Sequence, residues 1–417
     1  MKKVLIIGAG LEQINAIKKA KELGLFVVVT DLSPKAPGIQ FADSYEQIST
    51  NDKIGNLNCA KKYKVNGVLT VCSETAVPTV AFVCEALRLP SFSINTAEYA
   101  TNKAQMRQRF KTHGVPVSSF IISSNYEDTL DFVNANEGPW VIKPVDSSGQ
   151  RGTFIVHSKD DIKSKFDVAL EKSVSGQVLI DQEVKGREIH VTMFVFKNKP
   201  HFLAFSDRIT LTDENFGIAV NHIGPSSIDS DTKSKLIKVC GSAIESIQLR
   251  DGVCTCEIII NDSNLYVMEI AVRVPGGYLK EIAELLSGID IVEATILNAI
   301  SELTSLEDLK KHETHKGVSA KFLTSLNFND TDKELVSLDF DENYHTSESL
   351  ILLKLHHRLP FKFEKLNNSV GRFGVLICTG DSLDQAVVNT ERAFDSLRYN
   401  KSHKLINYKK YSFKHYK

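Results

Sequence analysis

The chain has 417 residues, 42% hydrophobic and 24% charged, the composition of a soluble globular protein that is too long for one ordinary core, so two or three domains are expected. A net charge of −1 offers no bulk attraction to nucleic acid or to a membrane surface. Seven cysteines, an odd number with no C-x-x-C pair and only Cys254 and Cys256 close together, speak against a disulfide framework or a zinc site and for a reducing cytosol.

The apolar run in the opening MKKVLIIGAG is too short for a signal peptide, and no later run approaches the ~18 apolar residues of a membrane span, so a cytoplasmic protein is expected. Val4 to Ile7 read as a buried strand turned at Gly8-Ala9-Gly10. Leu11, Ile14, Ile17 and Ala20 keep helical spacing up to Gly24, and Phe26 to Thr30 form a second strand ending in Asp31. This is a parallel βαβ opening. It resembles a dinucleotide fingerprint weakly, because the third glycine position holds Gln13. The alternation continues through Gly67 to Val71, after which Cys72-Ser73-Glu74-Thr75 could cap a helix over Val77 to Leu87. A first α/β domain over residues 1–94 follows from this pattern.

Asn95-Thr96-Ala97-Glu98 signals a helix whose pattern runs to Gly114. Lys103 shares an inward stripe with Met106 and Phe110, whereas Arg107, Arg109 and Lys111 fall elsewhere. An inward lysine needs a snorkelling path or a buried anion. The strand Trp140 to Lys143 then leads into the small-residue loop Asp146-Ser147-Ser148-Gly149-Gln150-Arg151-Gly152-Thr153, whose N–H groups could wrap a phosphate beside the Lys143 ammonium. It is not a Walker A loop, since no G-K-[ST] occurs. Asp181 and Glu188 stand at the two ends of a connector turned at Gly186, either as solvated loop acids or as acceptors for an amine and for sugar hydroxyls.

Glu257 opens the run Ile258 to Ile260, and Glu269 closes the run Leu265 to Met268, with turn formers at 261–264 between them. A hairpin with a loop of three or five residues sets the two acids directly opposite. Like charges so placed are destabilising, so either the face is solvated or a cation sits between them. Oxygen ligands suit Mg²⁺. Arg273 follows four residues after Glu269, ahead of Val274-Pro275-Gly276-Gly277, where backbone can approach a ligand, and this favours the cation.

In order and spacing, Lys103, the Lys143 strand with its loop, the D-x-x-x-x-G-x-E connector and the E-x-x-x-R-x-x-G-G segment together resemble the ATP-grasp superfamily, and within it the carboxylate-amine ligases related to bacterial L-amino acid ligases. The resemblance covers essentially the whole chain. It implies an α/β fold with a Rossmann-like pre-ATP-grasp domain (1–94), an ATP-grasp domain of two lobes (95–314, small lobe about 120–206) and a C-terminal α+β lobe (315–417). By the same resemblance Lys103 and Lys143 hold ATP phosphates under the loop that includes Ser147, Ser148, Gly149 and Gly152. Asp181 takes the adenine amine, the Val184 backbone meets the adenine edge, and Glu188 meets the ribose. Glu257 and Glu269 bind Mg²⁺, with Mn²⁺ as an alternative, and Arg273 meets the carboxylate and its phosphorylated form. Two positions depart from the common pattern: Ala271 where many members carry a metal-binding Asn, and Asp181 where Glu is usual.

The segment from Phe216 to Ser226 resembles the acceptor-side lining of such ligases, with His222 as a contact candidate. Beyond residue 315 short strands, the adjacent His356, His357 and Arg358, and a helix capped by Ser382 and Gln385 read as a closing lobe, and the basic aromatic tail from Asn400 reads as a solvated end. The expected function is ATP-dependent joining of a carboxylate, an amino acid for preference, to an amine through an acyl phosphate, with ADP and phosphate released. Its expected partners are these small-molecule substrates, not nucleic acid or membrane, and a homodimer is compatible. The rival readings are an ATP-grasp carboxylase acting on a small acceptor, an oxidoreductase using Gly8-Ala9-Gly10 and Asp31 for NAD, and a non-catalytic ATP-binding module.

Overall fold

A computed structural model describes residues 1–147, 151–211, 217–310, 313–328, 334–341, 348–363, 366, 369–400 and 403–405. Ser148, Gly149 and Phe216 lie outside the described residues, as does the chain beyond 405.

The N-terminal stretch forms β1 (Lys3–Ile7), α1 (Ile14–Glu22), β2 (Phe26–Asp31), β3 (Ser44–Gln47), α2 (Lys53–Tyr63), β4 (Gly67–Leu69) and α3 (Val77–Leu87). The strands pair in parallel in the order β3-β2-β1-β4. Both faces of this sheet are covered, which is why β1 and β2 read as unbroken apolar runs. Leu5 and Ile7 pack with Val80 and Val83 on one side, while Val4 and Ile6 share a core with Ala16 and Ile17 and, from far along the chain, with Ala294, Ile296 and Ala299.

The glycine turn after β1 holds its own side chain instead of a ligand. Gly10 N donates to Gln13 Oε1 at 2.8 Å, Gln13 Nε2 donates to Val71 O at 2.6 Å, and Asp31 accepts from Ala9 N and Ser33 N. The N–H groups that a dinucleotide would use are thereby occupied, which removes the support for the NAD reading.

The single helix expected after residue 95 is two helices, α4 (Ile94–Thr101) and α5 (Lys103–Thr112). They break at Asn102, whose extended backbone (φ −110°, ψ 108°) and side chain, accepting from Gln105 N, form the cap of α5. Lys103 is therefore the first residue of a helix rather than the middle of one. Next come β5 (Phe120–Ser123), α6 (Leu130–Ala135), β6 (Trp140–Pro144), β7 (Phe154–Val156), α7 (Lys159–Lys172) and β8 (Val178–Gln182). They make an antiparallel sheet in the order β5-β8-β6-β7 around Trp140, Ile142, Phe166 and Ile180. This small sheet ends at Gln182, short of the expected 206.

The large sheet takes β9 (Arg187–Phe196), β10 (Lys199–Thr210), β11 (Ala219–Gly224), then, after α8 (Ser230–Ser246), β12 (Gly252–Asn261) and β13 (Asn264–Ala271). After α9 (Leu279–Ser287) and α10 (Ile291–Ala299) it takes β14 (Gly317–Thr324) and the strands Leu350–Leu355 and Arg372–Gly380. Its eight strands run antiparallel in the order β13-β12-β9-β10-β11-β14, then Arg372–Gly380, then Leu350–Leu355. Three strands beyond residue 315 thus extend this sheet, with α11 (Leu383–Asp395) packed against them, while the short strands Glu334–Leu335 with Phe361–Lys362, and Leu338–Phe340 with Leu397–Tyr399 and His403–Lys404, form two small sheets of their own. Along β9, Val191, Met193 and Val195 pack with Leu236, Cys240 and Ala243 of α8, so alternation turns Glu188 and His190 to the opposite face.

Candidate active site

That opposite face carries a row of chemistry-bearing side chains set by strand register. Glu257 on β12 is paired with Glu269 on β13 and, on its other side, with His190 on β9. Arg208 on β10 is paired with Glu188 of β9 and with His222 of β11. The two acids are opposite as expected, but by another route. The hairpin turns on Asp262-Ser263 alone, with Asp262 at φ 51°, and a one-residue register shift between Glu257 and Ile258 restores the pairing that a longer loop would have given.

Glu257 keeps half of its side chain in solvent, with His190 Nε2 3.5 Å from its Oε1. Crowding by protein opposes its charge, but His190, Arg208 and Lys103 outweigh that and hold its carboxyl well below the usual range. Glu269 lies 3.5 Å from Lys103 Nζ, and the same ammonium donates to Ser147 O at 3.0 Å. Lys103 therefore meets both the loop after β6 and the acidic hairpin. The loop's base is pinned at Asp146, which accepts from Ser173 Oγ, Val174 N and Ser175 N, and Ser147 Oγ donates to Arg151 O. Gly152 sits at φ +74°, a conformation that suits glycine.

Lys143, at the end of β6, lies 3.0 Å from Asp181 Oδ2. Asp181 is fully buried, and it accepts also from Arg107 Nη2 at 3.1 Å and from Ser118 Oγ at 3.1 Å. Burial opposes its charge, yet Arg107 and Lys143 keep its carboxyl below the ordinary value. Lys143 is pushed down, by burial first and then by Arg107 and Lys103 against the pull of Asp181. Helical spacing set Arg107 off the inward stripe, whereas it is 1% exposed and reaches Val267 O on β13. Val184 stands between β8 and β9, outside both ladders. Glu188 is bound by Arg208, which also donates to Gly217 O.

Arg273 Nε donates to Glu74 Oε2 at 2.7 Å, and Glu74 Oε1 is buried with no hydrogen-bond partner. The 72–75 stretch does not cap α3, whose N-cap is Ala76 with no side-chain bond. It reaches across to the post-hairpin segment instead, where Cys72 N donates to Val274 O and Val71 forms a parallel bridge with Val274. Burial raises the Glu74 carboxyl in spite of Arg273 beside it. Gly277 and Tyr278 follow with φ 62° and 63°. A Cβ at Gly277 would lie 3.8 Å from both His222 Nε2 and Arg372 Nη2, so the turn opens between these two side chains. His222 is buried, and burial, His190, Arg208 and Arg372 all hold its imidazole neutral. Tyr278 OH and His356 Nε2 are 2.9 Å apart, and His356 Nδ1 lies 2.8 Å from Arg372 O. His357 and Arg358 are exposed. Arg107, His190, Arg208 and Glu74 are the participants that sequence reasoning missed.

Residues 100–277 match the family model of the ATP-grasp domain, from just before Lys103 to the second glycine after Arg273. This stretch is an ATP-grasp domain. The formate-dependent phosphoribosylglycinamide formyltransferase of Hydrogenovibrio crunogenus is 28% identical over 204 residues, 47% of this chain and 51% of that protein. The L-arginine-specific L-amino acid ligase of Bacillus subtilis is 25% identical over 231 residues, 54% of this chain and 55% of that protein. The chain spans about half the length of these curated relatives. An L-amino acid ligase from Bacillus licheniformis superposes over 97% of this chain and 99% of its own, with a TM-score of 0.80 at 17% identity, which shows a shared fold. The ATP-grasp domain holds Lys103, Arg107, Lys143, Asp181 and both hairpin acids, while Glu74, His356 and Arg372 come to it from outside. Among the described residues no three His, Cys, Asp or Glu side chains converge to hold a metal by themselves, and no helix is long and apolar enough to cross a membrane.

Proposed function

We propose that this protein is an ATP-dependent, ADP-forming ligase that joins the carboxylate of an amino acid to an amine through an acyl phosphate. The observation that carries this reading is the reach of Lys103, whose ammonium touches the loop at Ser147 O and the acid Glu269 at once. A phosphate lysine, a phosphate loop and a carboxylate pair thus share one place.

The residues fit a divalent cation. Glu257 and Glu269 oppose each other across the strands, with Lys103 and His190 against them and Arg208 acting on Glu257, and two carboxylates so placed can share one divalent cation. Two carboxylates with no third protein ligand suit Mg²⁺, which takes substrate phosphates and water as its other ligands, and Mn²⁺ shares that chemistry. The ion supplies charge neutralisation at the phosphoryl group being transferred. Lys103 and Lys143 bind the phosphates from the other side, and Arg273 presents a planar fork to the carboxylate and then to the phosphate it gains. The free Oε1 of Glu74, next to that fork, supports an amino acid as the substrate, because it gives an ammonium an acceptor beside the arginine that takes the carboxylate. A neutral His222 can accept a hydrogen bond at the amine side.

The test is phosphate release from MgATP against pairwise mixtures of amino acids. The reading predicts release that requires both ATP and a particular acid–amine pair. Release that no mixture stimulates would overturn it.

A further inference from the structure

Asp181 occupies the position where, on the nucleotide reading, an acid faces the adenine amine, yet it is fully buried and three protein donors already surround it. Its Oδ1 accepts from Ser118, its Oδ2 accepts from Arg107 and lies 3.0 Å from Lys143, and no part of it reaches the surface. An aspartate is one methylene shorter than a glutamate, so it does not reach past the groups that surround it. Arg107 is anchored at two ends, to Val267 O of the large sheet and to Asp181 of the small one, and a planar guanidinium held so fixes the carboxylate it meets. What this carboxylate touches on the site side is the ammonium of Lys143. Two buried cations share one buried anion, and such a surplus of positive charge is relieved by a further anion.

We propose that Asp181, fixed by Arg107, positions Lys143 for the phosphate end of the nucleotide and takes no part in selecting the base. The proposal rests on the reading of this cleft as a nucleotide site. In it Arg107 and Asp181 are positioning residues, acting on phosphate through Lys143. Their effect is blind to the base, whereas a base ligand acts on adenine alone.

Calorimetric titration of MgADP and MgGDP, with adenosine as a competitor for a fluorescent ADP analogue, separates the two roles. The proteins to compare are the wild type, Asp181→Asn and Arg107→Gln. Loss of one charge-assisted contact predicts that both variants weaken MgADP and MgGDP alike, by about tenfold or more, while adenosine competes as well as before. Loss of folding would take adenosine with it. If Asp181→Asn does not fold, Arg107→Gln leaves Asp181 and Lys143 paired and carries the same comparison. Loss confined to MgADP and adenosine, with MgGDP unchanged, makes Asp181 a base ligand and overturns the proposal. A wild type that binds neither nucleotide overturns the site reading beneath it.

Discussion

Glu257 and Glu269 were legible in the sequence because a strand's period of two and a turn of small polar residues fix which side chains face each other. Lys103 stood out as an inward lysine on a helical stripe and Lys143 as a lysine ending a strand, although the helix start at Lys103 itself was not foreseen. Arg107 was not legible, since which helix face meets a second sheet is decided by tertiary packing that spacing does not carry. Glu74 was hidden for the same reason, its partner Arg273 being 199 residues away. Three predictions belong at this scale. Glu257→Gln and Glu269→Gln should each abolish turnover and leave the fold intact, with the apo melting temperature of Glu257→Gln lowered, because His190, Arg208 and Lys103 lose an anion they stabilise; full activity of both at limiting Mg²⁺ contradicts the cation site. Arg273→Lys keeps the charge and loses the fork, so coupling should slow more than ATP affinity falls. Asp181 supplies a pH signature. Its folded carboxyl lies below the unfolded value of 3.8, so its stabilisation is complete above that value and disappears as pH falls through the folded one. The stability gap between wild type and Asp181→Asn should be about 3–5 kcal/mol near neutral pH and begin to narrow below about pH 4 in urea titrations.

At the scale of elements, the break between α4 and α5 sets the site as much as any side chain does. Asn102 ends one helix and caps the next, and this turns Lys103 towards the loop after β6, where its own N–H also bonds Val145 O. Asn102→Ala removes the cap and should cost about 1 kcal/mol in denaturant unfolding. It should also weaken MgADP binding, because a continuous helix would swing Lys103 away. Unchanged binding in a destabilised variant would mean that the loop, not the cap, holds the lysine. The hairpin shows how the sequence was right about an outcome and silent about the means: the register shift beside Glu257 leaves no residue signature, whereas the opposition of the acids does.

For the whole molecule, the α/β class and the parallel opening were readable because each rests on local periodicity, and the ATP-grasp domain was readable through motifs that resemble that family in order and spacing. What local pattern did not carry was continuity across long separations. Three C-terminal strands complete the large sheet, α10 covers the N-terminal one, and Lys19 of α1 lies 3.0 Å from Asp290, which caps α10. The N-terminal sheet is thereby fastened to later parts of the chain on two sides, by that pair and by Glu74 with Arg273 of the ATP-grasp domain. The central claim is that a γ-phosphoryl group passes to a carboxylate in this cleft. Its most direct test is turnover with an acid substrate labelled with ¹⁸O in the carboxylate. The account predicts ADP and phosphate that carries one labelled oxygen; AMP with pyrophosphate, or phosphate without label, would contradict it.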